Sequence, residues 1–96
     1  METKNIEMIL EERDNNDILS ITIKHKEYII NLNSEDQTQL RTFFTAIIEN
    51  LFEHKINIEL KINEAYKNMM FIEIAQEYVK CLNEEIENIF NDLPEL

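Results

Sequence analysis

Not one of the 96 residues is glycine, and this absence limits the backbone more than any other feature of the chain. Glycine is the residue that adopts positive φ at no steric cost and lets backbone N–H groups come close to a phosphate. Phosphate loops and dinucleotide fingerprints are therefore excluded. Reversals must be built by residues that tolerate left-handed backbone next best, and the twelve asparagines are the obvious supply. With Pro94 as the single proline, no stretch reads as a linker or a low-complexity segment.

Between Asn5 and Leu32 apolar side chains recur every second residue. Ile6, Met8 and Leu10 form the first set, Leu19, Ile21 and Ile23 the second, and Tyr28, Ile30 and Leu32 the third. Three strands are expected over about 5–32. The segment Arg13-Asp14-Asn15-Asn16-Asp17 provides the first hairpin turn and Lys24–Glu27 a tighter second one. The period then changes. Ser34 can cap a helix over about 35–54, with Gln37 where a capping box places it, and Leu40, Phe43, Phe44, Ile47, Ile48, Leu51 and Phe52 form its apolar stripe. After His54 the alternation of Ile56, Ile58, Leu60 and Ile62 predicts a fourth strand, 56–62, although no glycine ends the preceding helix and a continuous or kinked helix is the alternative. Asn63 can cap a last helix over about 64–92, long enough that a kink is expected near Met69–Phe71.

The expected fold is thus α+β: an antiparallel sheet of three to four strands covered by one amphipathic helix, then a long C-terminal helix, in one domain spanning 1–96. A chain of this length buries roughly 60–65% of the surface it exposes when unfolded, enough for one modest core. Apolar residues make up 44% of the chain and isoleucine alone supplies sixteen, which argues against disorder despite the charge.

The charge is the second strong constraint. Twenty acids against nine bases give a net −11, a field that repels phosphate backbones and anionic lipid and draws basic protein surfaces. Direct nucleic-acid binding is not expected, since Lys24, His25 and Lys26 are the best local basic excess and too short a run to matter. No apolar run approaches the ~20 residues that span a bilayer, and residues Met1–Asn5 lack the pattern of a secretory signal. With a lone Cys81 excluding an internal disulfide, a soluble cytoplasmic protein is expected.

Two acidic clusters are candidate partner-binding residues. Glu73, Glu77, Glu84, Glu85 and Glu87 lie on the last helix, and Glu11, Glu12, Asp14 and Asp17 surround the first hairpin turn. The helix cluster could equally be a solvated face, and the hairpin cluster is more simply an ordinary hydrophilic turn. Ile72, Ala75, Val79, Leu82, Ile86, Ile89 and Leu93 recur at spacings of three and four, so Ile72, Val79, Leu82, Ile86 and Ile89 could form a homodimer seam or pack on the protein's own first helix.

Chemistry is not indicated. Asp14 and Asn16 lack the glycine and the twelfth-position glutamate of a calcium loop, and one cysteine with two distant histidines offers no zinc spacing. His25 in a turn and His54 at a helix end have structural explanations. Cys81 has no neighbouring histidine and is expected to be a buried or half-buried apolar residue. No catalytic residue, metal or cofactor is therefore assigned, and the chain is not expected to be an enzyme.

In size, charge, AT-rich amino-acid vocabulary and the run Glu27-Tyr28-Ile29-Ile30 leading through Ser34-Glu35-Asp36 into helices, the chain resembles the small acidic anti-defence proteins of phages, above all anti-CRISPR proteins. It is similar also to acidic immunity proteins that neutralise nuclease toxins. Such a resemblance implies a phage-encoded inhibitor in the host cytoplasm that binds a basic nuclease or CRISPR effector and blocks its nucleic-acid path. The alternative is a non-catalytic assembly or regulatory module that dimerises or docks a partner through its C-terminal seam.

Overall fold

A computed structural model describes residues 2–34, 38–50 and 54–92. In chain order the elements are β1 (Thr3–Arg13), β2 (Asn16–Ile23), β3 (Lys26–Asn31), α1 (Thr38–Asn50), β4 (Lys55–Ile62) and α2 (Met69–Asp92). The fold is α+β, with one four-stranded sheet in the order β3-β2-β1-β4. The expected capping box at Ser34–Gln37 and the stripe residues Leu51 and Phe52 involve positions outside the described residues.

The sheet is mixed rather than antiparallel throughout. β1–β2 and β2–β3 are antiparallel hairpin pairs, but β4 runs parallel to β1, with Ile6 opposite Ile58 and Leu10 opposite Ile62. The reason is the connection. The chain leaves β3 at one edge, crosses the sheet through α1 and enters β4 at the other edge in the same direction, as strands joined through a helix do. β4 also settles the 56–62 segment as strand.

Both hairpins have two-residue turns in which each central residue is left-handed: Asp14 and Asn15 at φ 52° and 65°, Lys24 and His25 at 49° and 69°. That is the backbone of a type I′ turn, whose twist matches the flanking strands. Asp and Asn take it readily, whereas Lys and His do so at a cost. His25→Gly is accordingly expected to raise stability by about 0.5–1 kcal/mol, the relief of left-handed strain exceeding the entropy glycine adds to the unfolded chain. Thermal unfolding checks this, with the midpoint rising by about 2–8 °C.

Alternation assigns the two faces of the sheet. Ile6, Met8, Leu10, Leu19, Ile21, Ile23, Ile30, Ile56 and Ile58 join Phe43, Ala46 and Ile47 of α1 and Ala75, Leu82 and Ile86 of α2 in one core, all nearly inaccessible. Both helices therefore cover the same face, and among the described residues no element covers the other, open face. Ile18 and Ser20 on the open face are nonetheless only 4% exposed. Across that face runs a bridge: Arg13 binds Glu11 of β1 at 2.6 Å and Glu27 of β3 at 3.0 Å, with β2 between them.

The sheet's two edge strands are each met by a side-chain amide from a helix. Asn83 of α2 accepts a hydrogen bond from the Ile58 N–H and donates one to the Ile58 carbonyl, both at 2.9 Å, and Gln39 of α1 accepts one from the Asn31 N–H at 2.9 Å. Groups that would otherwise offer a template to another strand are thus occupied.

α2 begins at Met69, five residues later than the sequence suggests. Asn63 turns the chain instead, its side chain accepting from the Ala65 N–H at 2.9 Å, and Asn68 caps the helix through the Phe71 N–H at 3.4 Å. No kink at Met69–Phe71 is needed, because the helix starts there. The C-terminal seam is likewise accounted for within the chain: Leu82 and Ile86 are buried in the core, and Ile72, Val79 and Ile89 pack against it. Within one chain this row packs on the sheet, through β4 and β1, rather than chiefly on α1.

Candidate functional site

α2 carries three longitudinal rows, set by 3.6 residues per turn. Ala75, Leu82 and Ile86 point into the core. Opposite them Glu73, Glu77 and Glu84 lie within about 40° of one another around the axis, all exposed. Between the two, Met70, Ile74, Tyr78 and Cys81 form an apolar row along one flank.

The five acids expected to act together on α2 therefore separate. Glu73, Glu77 and Glu84 share one outward row. Glu85 stands on the flank beside the apolar row, near Arg41, Phe44 and Tyr78. Glu87 lies on the opposite flank and pairs with Lys55 of β4 at 2.9 Å, an exposed bridge of small energetic weight. Among the described residues Glu73, Glu77, Glu84 and Glu85 form no ion pair, although Lys80 is close to the outward row in sequence.

The hairpin cluster separates too, because neighbouring residues of a strand point to opposite faces. Glu11 lies on the open face, held by Arg13. Asp14 is exposed at the turn. Glu12 and Asp17 line a polar recess on the helix side, with Asn63, Tyr66 and Asn68. Asp17 is the centre of a network: it accepts from the Tyr66 hydroxyl at 2.7 Å and from Asn33 Nδ2 at 3.2 Å, while its own N–H donates to Asn33 Oδ1 at 2.6 Å. Its role is to tie the 63–68 loop to the first hairpin. Each acidic cluster is thus divided between faces, and α2 holds the more concentrated charge.

Burial, and then the bond to Asp17, push the Tyr66 phenol well above its ordinary value of 10.0. The unfolded chain ionises this group first, so its contribution to stability is fully present below pH 10 and is lost as pH rises beyond it. Tyr66→Phe is expected to remove the most alkaline step from an absorbance titration at 295 nm and to flatten the loss of stability above pH 10.

One further acidic set follows from the register rather than from proximity in sequence. Glu7 lies beside Glu59 across the parallel pair, on the same open face as Glu11 and Glu27. Their alternation with apolar residues was the available signal, but pairing is required to gather them. Cys81 also differs from expectation: it is exposed, on the apolar flank of α2. Among the described residues no three His, Cys, Asp or Glu side chains gather as a metal site, and no helix is long and apolar enough to cross a membrane.

No protein-family model, curated protein or solved structure matches this chain. What the geometry offers is a surface: a row of carboxylates about one helical turn or more apart, without ion-pair partners among the described residues, on a helix packed against a sheet.

Proposed function

We propose that the protein is a non-catalytic inhibitor of a basic nucleic-acid-processing protein, a nuclease or CRISPR effector, and that it occupies the surface this partner uses for nucleic acid. The observation that supports this most is the outward row Glu73, Glu77 and Glu84, which has no ion-pair partner among the described residues, while Arg13 and Lys55 are engaged by acids elsewhere. Like charges at i, i+4, such as Glu73 and Glu77, cost a helix about 0.2–0.5 kcal/mol per pair. A cationic partner offsets that cost and gains long-range steering from the remaining negative field. Glu12, Asp14 and Glu85 extend the field, and Glu87, Glu11 and Asp17 contribute less because each is already bonded within the chain. The site of action on this reading is the cytoplasm, the host's if the gene is a phage's.

The test uses the chain as bait, captures basic proteins at low and at high salt, and measures association with the captured protein in the presence and absence of its nucleic acid. Replacing Glu73, Glu77 and Glu84 together by lysine is expected to slow association about 10–100-fold and to abolish competition with nucleic acid. Association that is insensitive both to this variant and to salt defeats the reading.

A further inference from the structure

Beside the charged row lies a surface that the charge alone does not explain. α1 and α2 both rest on the sheet, and between their outer flanks is a hollow of about 530 Å³ walled by Leu40 and Phe44 of α1 and by Tyr78, Cys81 and Leu82 of α2. It continues, through the shared Tyr78 and Cys81, into a second hollow of about 540 Å³ that runs past Ile74 and Met70. Here apolar side chains meet solvent: Met70 is 60% exposed and Ile74 37%. From Met70 to Glu85 the groove follows α2 for about 22 Å, the length of some four helical turns. Contiguous apolar grooves of this kind, bordered by polar residues, mark sites of association.

The border identifies the occupant. Among the described residues Glu73, Glu77 and Glu85 line the groove, against one base, Arg41. A second copy of a chain with net charge −11 would bring two such borders together, and an anionic membrane would meet the same repulsion. A cationic amphipathic helix fits both the floor and the border: its apolar face enters the groove at i, i+3, i+4 and i+7, and its flanking Lys or Arg side chains reach the glutamates. We propose that the groove between α1 and α2 receives a basic amphipathic helix of the partner protein. This rests on the reading that α2 meets a basic protein, and adds that its lasting contact is apolar.

The probe is an 18-residue synthetic peptide with leucines on one helical face and lysines on its flanks, compared with a permuted peptide of identical composition and no helical periodicity. Cys81 is the chain's single cysteine, so its rate of alkylation by a maleimide reports groove occupancy directly. At saturation the amphipathic peptide is expected to slow alkylation tenfold or more and to bind at least tenfold tighter than the permuted one. Ile74→Glu, at an exposed position, supplies a test of sign. It adds negative charge, so a purely electrostatic contact tightens, whereas groove binding weakens tenfold or more.

If both peptides bind alike, only at low salt, and leave Cys81 reactive, the groove proposal falls while the charged surface stands. If the amphipathic peptide protects Cys81 but binds the Glu73, Glu77, Glu84 triple lysine variant equally well, the charged-surface reading falls instead. Protection of Cys81 by a rise in the protein's own concentration, or by anionic vesicles, overturns the cationic-helix assignment.

Discussion

Phe43→Ala is expected to cost about 3–5 kcal/mol, the range for truncating a fully buried aromatic side chain. Phe43 is 1% exposed and sits where α1 meets the sheet, so nothing but protein can fill the space it leaves. A domain of this size holds in total only about 5–14 kcal/mol against unfolding, which makes the loss a large share of the whole. The midpoint of thermal unfolding should drop by more than about 12 °C. Phe44, the adjacent residue, is half-buried and walls the groove, and its truncation should cost far less. Circular dichroism melts of the two variants separate core from surface, and a Phe43→Ala loss below 1 kcal/mol contradicts the packing described.

Asn83→Ala is the second large effect, and its cause is polar. The amide satisfies both the N–H and the carbonyl of Ile58 on the edge strand β4, so truncation leaves two half-buried backbone groups without their partner. About 2–3 kcal/mol should be lost, allowing for partial replacement by water. A change in the denaturation midpoint at constant slope measures it. The uncovered edge should also show itself as self-association in light scattering, since unpaired strand groups accept another strand. A cost below about 0.5 kcal/mol says that water serves the edge as well as the amide does.

The elements themselves are legible because their periods differ. Ile56, Ile58, Leu60 and Ile62 alternate as only a strand requires, and β4 lies where they predict it. Alternation has no polarity, however, so it cannot distinguish a parallel from an antiparallel neighbour, and the mixed sheet emerges only when β4 is placed against β1. The start of α2 misleads for a related reason. Asn63 and Asn68 are both competent caps, and the choice falls to Asn68 because the 63–68 loop is drawn toward Asp17 by Tyr66.

The row Ile72, Val79, Leu82, Ile86 and Ile89 has spacing that serves a sheet as well as a second helix, so its partner was ambiguous in one dimension. Cys81 lies at the boundary between that row and the acids, where a shift of one helical position decides exposure. The acids on α2 are visible as a run, but their division into an outward row, a groove border and a bridge to Lys55 requires the angular position of each around the helix.

The parallel pairing of β1 with β4 joins residues some fifty positions apart, Thr3 with Lys55 and Ile6 with Ile58. During synthesis the first three strands can close locally as soon as they emerge, yet one side of β1 stays bare until the ribosome has delivered more than half of the chain. Long-range pairing of this kind is slow, because the intervening loop must be ordered before any contact rewards it. The nascent chain is therefore most prone to clumping while β1, later a central strand, is still an edge, and the densely negative C-terminal third arrives only after β4 has been made.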